Sequence, residues 1–208
     1  MKATEDKEVI KALELTKAFT VLNDNNTDTA SEEFLKIAKK LFEEYQIAKG
    51  DARYDFEEVE FYLYTENHKD NNHVYPRICK AGEWFVHYSG VDLTFQTLKE
   101  YNKITQCGGI LIRRIKKVGK ASIGGPLRCL MELFNGQDNP ILIKKERESV
   151  EPNTTPRIGI KNNDIQDKRL YRFVIDTEPE IDSYLPQYTK DGIVLKDKKY
   201  KYNPQYEQ

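Results

Sequence analysis

Cysteine is scarce in this 208-residue chain. Cys79, Cys107 and Cys129 are widely spaced and odd in number, which argues against a disulfide framework and for reduced thiols. No stretch approaches the roughly 20 apolar residues of a membrane-spanning helix. The opening residues, MKATEDKEVIKALELTK, are charged and lack the apolar core of a secretory signal. The expectation is an intracellular protein, cytoplasmic (nucleoid-associated) or nuclear, without a membrane partner. Internal repeats are missing, and so are the Walker spacing and the G-x-G-x-x-G loop of nucleotide-binding folds. His68, His73 and His87 cluster near Cys79, but their spacings fit no zinc signature, so no metal and no cofactor is expected.

Charge is plentiful and unevenly placed. Residues 1–60 carry nine Lys/Arg against fifteen Asp/Glu, a net of −6, whereas residues 103–145 carry nine against two, a net of +7. The whole chain is nearly neutral at −1. A basic central region makes a polyanion a plausible partner, with a merely solvated face as the alternative.

The hydrophobic spacing predicts an α+β domain: helices first, then a mainly antiparallel sheet with a helix inserted. Residues 5–22 and 32–50 show helical spacing, the second ending at Gly50. EEVEFYLYTENH follows as a strand, GEWFVHYSGVDLTF as a hairpin and GGILIRRIKKV as a strand that turns basic. The segment TLKEYNKITQC gives no clear signal and is read as a loop or short helix. GGPLRCLMELFNG reads as a glycine loop and a helix from Pro126 to a stop at Gly136. NPILIKKER, TPRIGIKN and RLYRFVID are short strands. This divides the chain into an N-terminal helical extension (1–30), an α+β domain (31–185) and a polar tail (186–208).

Strand side chains alternate faces. Val59, Phe61 and Leu63 therefore face a core, while Glu58, Glu60, Tyr62 and Tyr64 share the other face. From this strand alone, an edge strand whose polar face meets solvent is the simpler reading. The alternative is a set of carboxylates at a cleft. Arg113 and Arg114 emerge from an apolar strand, so one of them points inward, where it needs a carboxylate such as Glu60 or Glu58. The helix opened by GGPLR, with Arg128 one turn in, has the free backbone N–H groups that suit a phosphate.

Taken in order, seven segments resemble the alkyladenine (3-methyladenine) DNA glycosylase family. They are EVEFY at 58–62, HKDNNH at 68–73, GEWFVHYSG at 82–90 and ILIRR at 110–114, followed by GPLR at 125–128, PRIGI at 156–160 and YRFVI at 171–175. They cover roughly residues 38–176. The resemblance implies a single domain built on a curved antiparallel sheet with surrounding helices. It also implies hydrolysis of the N-glycosidic bond of an alkylated or deaminated purine flipped out of double-stranded DNA.

In that scheme Glu60 activates a water, Arg113 helps to hold it and Tyr62 stacks on the base. His68 or His73 lines the pocket, and His87 replaces the second aromatic of the family's aromatic-V-aromatic run. Tyr88 fills the space vacated in the duplex, and Lys120 and Arg128 meet the DNA backbone. Residues 96–107 look like an insertion. Such a protein needs no cofactor and acts as a monomer. A non-catalytic nucleic-acid-binding module that keeps the nucleobase pocket is the competing expectation.

Overall fold

The structure is a computed structural model and describes residues 7–20, 22, 25, 27–70, 74, 77–145, 149–158 and 169–175, with the backbone of 187–188 and 194–195. Its centre is one long curled antiparallel sheet, carried by β2 (Ala52–Thr65) and β6 (Lys103–Lys117). These two strands run antiparallel along nearly their whole length, from Tyr54↔Lys117 to Thr65↔Gln106. Outward from β6 come β4 (Gly90–Thr94) and then β3 (Trp84–His87); outward from β2 come β1 (Tyr45–Lys49) and β8 (Ile141–Lys144). The short β5 (Leu98–Glu100) and β7 (Ser122–Gly124) flank β6, and β9 (Asn153–Thr155) joins β10 (Arg172–Val174), which pairs with β2. A separate two-stranded pairing joins β11 (Gln187–Tyr188) to β12 (Val194–Leu195). This is a single α+β domain.

Packing follows the pleat. Val59, Phe61 and Leu63 are fully enclosed, as the alternation predicts. Helix α2 (Thr27–Glu44) lays Phe34, Ala38, Leu41 and Phe42 on that face. Phe34 stacks on Phe61 with ring centroids 4.7 Å apart, and Phe173 of β10 meets Phe61 edge-on at 5.4 Å.

The sequence reading and the structure part at several elements. Helical spacing ran through residue 50, but α2 ends at Glu44 and Tyr45–Lys49 forms β1. The apolar run alone does not separate helix from strand; pairing of Gln46↔Asp55 on one side and Gln46↔Ile143 on the other decides it. Gly50 (φ 53) still ends an element, but as the turn of a hairpin. The helix expected over 5–22 is limited to α1 (Lys7–Ala12), and Leu13, Leu15, Phe19 and Leu22 join the same core cluster as α2 and the sheet. The unclear segment 97–107 is a hairpin of β5 and β6, turning at the fully exposed Tyr101.

TPRIGIKN is not a strand over its described part: β9 stops at Thr155, and 156–158 run irregularly. Helix α3 (Pro126–Phe134) begins where proline predicted. No helix among the described residues is long and apolar enough to cross a membrane.

Candidate functional site

Strand β2 is not an edge strand. It is flanked by β6 on one edge and by β1 and β10 on the other, and the carboxylates of its second face are covered: Glu58 is 7% exposed and Glu60 0%, while Tyr62 and Tyr64 are partly buried. Solvent therefore does not explain its carboxylates.

Register places their partners. Arg172, Glu60, Leu111, Asp92 and Phe85 are successive pair partners across β10, β2, β6, β4 and β3. Paired residues share a face, so these five line one surface. Arg113 lies two residues beyond Leu111 on the same face of β6.

Three donors hold Glu60. The Ile158 backbone N–H donates to Oε1 at 2.8 Å, the Tyr62 hydroxyl to Oε2 at 2.8 Å and Arg113 Nη1 to Oε2 at 3.2 Å. Arg172 Nε stands 4.0 Å from Oε1. A carboxylate offers about four acceptor positions, so these three hydrogen bonds leave one on Oε1 without a donor among the described residues. Glu58 Oε1 accepts from Arg113 Nε at 3.0 Å and Arg172 Nε at 2.7 Å. Arg172 is steadied in turn by Thr155 Oγ1, 2.8 Å from its Nη1.

The two carboxyls are driven apart in acidity. Burial raises the Glu60 pKa above its ordinary 4.5, outweighing Arg113, the Ile158 N–H and the Tyr62 hydroxyl. Burial also opposes ionisation of Glu58, but the Arg172 hydrogen bond and the charges of Arg172, Arg113 and Arg114 bring its pKa below 4.5. Glu58 is thus the settled anion and Glu60 the group with proton affinity to spare. Burial, together with the Glu60 charge, lifts the Tyr62 hydroxyl well above its usual range, so it stays a donor.

A second buried pair stands behind the first. Arg157 grips Asp70 with two parallel bonds of 2.7 and 2.9 Å, both side chains fully enclosed. Its guanidinium also donates to the Phe61 carbonyl at 3.1 Å and lies 4.7 Å from the Tyr62 ring centroid. This anchors the irregular segment whose next residue, Ile158, reaches Glu60. One face of Tyr62 is accordingly occupied by a cation.

Of the residues expected at the site, Glu60, Arg113 and Tyr62 come together; the pleat put Glu60 and Tyr62 on one face, and of the two arginines Arg113 is the one that reaches Glu60. The expectation that His68 could line the pocket needs correction. It is fully buried, with Nδ1 2.9 Å from the Leu63 carbonyl and Nε2 2.8 Å from the Tyr171 hydroxyl, so both ring nitrogens are engaged in the core. His73 lies outside the described residues.

His87 sits at the end of β3 with Nε2 3.1 Å from Asp92 Oδ1 and Nδ1 2.9 Å from Ser89 Oγ. Phe85 stacks on its ring at 5.9 Å. Tyr88 is 82% exposed at the tip of the same hairpin. Arg128, in the first turn of α3, donates to the Gly124 carbonyl at 3.3 Å. The Gly125 N–H donates to the Arg113 carbonyl at 2.8 Å, which ties that helix start to the strand bearing Arg113. Lys120 is exposed in the turn between β6 and β7.

Sequence reasoning missed Arg172, Arg157, Asp70 and Arg77. Arg172 had a signal: it alternates with Tyr171 and Phe173, both enclosed in the core, so the pleat puts it on the polar face. Arg157, Asp70 and Arg77 stand outside regular elements, where no periodicity marks a direction.

The fold and site together define an α+β domain with a buried carboxylate–guanidinium cluster on one face of a curled sheet. No protein-family model matches the chain, and no curated protein matches it at a significant level.

Proposed function

We propose that this chain is a monofunctional DNA glycosylase that removes alkylated or deaminated purines from double-stranded DNA. The observation that carries the reading is Glu60: a fully enclosed carboxylate of raised pKa, beside Arg113 and Tyr62, with one acceptor position that no donor among the described residues fills. In the reaction a water oxygen attacks C1′ of the flipped nucleotide and the C1′–N bond breaks, its electron pair leaving with the base. Glu60 takes the water's proton and passes it to solvent. A neutral purine leaves as an anion that takes a proton from solvent, whereas a cationic N-alkylated purine leaves neutral. Either way the products are a free purine and an abasic deoxyribose. Arg113 and Arg172, both bonded to Glu58, keep that neighbour ionised, so the acid–base work falls to Glu60. No lysine intermediate and no cofactor enters the scheme. The protein acts as a monomer where DNA is found, in the cytoplasm or nucleus.

The pH dependence tests the assignment. Only ionised Glu60 accepts a proton, and its pKa lies above 4.5. Base release is therefore expected to rise with pH through a limb centred above 4.5, measured under single-turnover conditions. A limb at or below that value would assign the base to another carboxylate.

DNA binding tests the basic region. Lys120 belongs to the stretch of net charge +7, and a phosphate contact releases counterions. Lys120→Ala is expected to weaken binding to any duplex and to reduce the slope of log K against log salt by about one. An unchanged slope would remove Lys120 from the DNA interface.

A further inference from the structure

The tip of the β3–β4 hairpin carries a serine, a histidine and an aspartate joined in one hydrogen-bonded line. His87 Nε2 lies 3.1 Å from Asp92 Oδ1, and Nδ1 lies 2.9 Å from Ser89 Oγ. Arg77 Nη1 holds the other Asp92 oxygen at 2.8 Å, with both side chains buried. Phe85 stacks on the imidazole, and Tyr88 meets it edge-on with ring centroids 6.4 Å apart. The His87 side chain is 9% exposed, whereas Ser89 stands partly exposed in the turn.

These partners fix the tautomer. A carboxylate only accepts hydrogen bonds, so the ring proton sits on Nε2, facing Asp92. Nδ1 then offers its lone pair, and the Ser89 hydroxyl donates to it. A hydroxyl whose proton already points at a base, with that base oriented by a third group, is the arrangement that activates a serine as nucleophile. Register permits it: Phe85 pairs with Asp92 and His87 with Gly90, so base and orienter are diagonal neighbours and Ser89 lies in the turn between their strands. The start of α3 is close by. A Cβ on Gly90 would come within 2.8 Å of Pro126 Cβ, so the turn abuts the first residue of that helix. The Leu127 and Arg128 N–H groups precede that of Cys129, which bonds to the Gly125 carbonyl at 3.0 Å, and they lie at the positive end of the helix. Donors of this kind suit the oxyanion that forms when a carbonyl is attacked.

We infer that Ser89, His87 and Asp92 form a nucleophilic site that hydrolyses small carboxylic esters, an activity independent of the glycosylase reading. Ser89 Oγ attacks the ester carbonyl carbon, and its proton passes to His87 Nδ1. The bond from the carbonyl carbon to the alkoxy oxygen breaks, and the leaving alkoxide takes that proton to depart as an alcohol. Water then attacks the acyl-serine and gives a proton to Nδ1. The acyl–Oγ bond breaks, Oγ recovers a proton from Nδ1, and a carboxylic acid is released. Asp92 is a positioning residue: it touches the imidazole, not the ester, and Arg77 anchors it. Because Ser89 is partly exposed, a small ester reaches the hydroxyl without any opening of the fold.

The test treats the whole protein with a fluorophosphonate and, separately, with p-nitrophenyl acetate. The fluorophosphonate is expected to label Ser89, as mapped by mass spectrometry, and the ester to be hydrolysed. Hydrolysis should fall by at least roughly a hundredfold in Ser89→Ala and in His87→Phe, which keeps the stack on Phe85 but removes the base. Asp92→Asn frees the ring to take the other tautomer, so kcat should fall while KM stays the same. No label on Ser89, or hydrolysis that persists in Ser89→Ala, would overturn the inference and leave these side chains as a clasp that pins the hairpin. If a variant does not fold, labelling of the wild-type protein decides alone. Base release from DNA is measured on the same protein and bears only on the glycosylase reading, so each reading fails without the other.

Discussion

Glu60→Gln is expected to lower base release from damaged duplexes by at least roughly a hundredfold, the scale of a general-base contribution. The geometry around residue 60 should survive. Glutamine keeps an oxygen for the Ile158 N–H and donates its amide to the Tyr62 hydroxyl oxygen, while Arg113 gives up its bond to residue 60 and retains the one to Glu58. The neutral amide also removes a charge that burial disfavours. Because the folded pKa of Glu60 is raised, the wild-type protein loses stability as pH climbs from 4.5 through the folded pKa, and the variant lacks that loss. Glu60→Gln should therefore be as stable as the wild type at pH 7 or more so, and should bind duplex DNA at least as tightly. Equal rates of release from the two proteins would shift the role to Glu58 or to Asp92, on β4 beyond β6.

Asp70→Asn is expected to have the largest effect on stability. It removes the counter-charge of a guanidinium that has no exposure, and it weakens a paired grip of 2.7 and 2.9 Å. Arg169, 3.7 Å from the same carboxylate, loses that counter-charge as well. Breaking a buried pair by neutralising one member costs about 3–5 kcal/mol. Urea unfolding with an unchanged m-value should report this as a lowered midpoint. A loss below about 1 kcal/mol would show that the charge of Asp70 does not carry the pair. Base release should fall too, since Arg157 anchors the segment that brings the Ile158 N–H to Glu60.

Much of this site could be read from the pleat of two strands. Alternation along EVEFYLY put Glu58, Glu60 and Tyr62 on one face, and the apolar run before Arg113 and Arg114 demanded a carboxylate partner for one of them. Alternation did not reveal that this face is enclosed, because enclosure depends on β10 pairing with β2 across more than a hundred residues. The same non-local pairing turned Tyr45–Lys49 into a strand where local spacing continued a helix. Proline and glycine marked the limits of α3 correctly, since those signals act within a single turn. His68 misled for the opposite reason: a histidine in a polar loop looks available, and only the Tyr171 hydroxyl, from the residue just before β10 and distant in sequence, shows that its ring belongs to the core.

The most direct measurement is single-turnover incubation of the wild-type protein with duplexes containing hypoxanthine, 3-methyladenine or ethenoadenine, resolving free base and abasic DNA. The account predicts release of an intact purine base from at least one duplex, with a matching abasic site and loss of the reaction in Glu60→Gln. Duplexes that all remain intact, under conditions where the protein binds them, would contradict it.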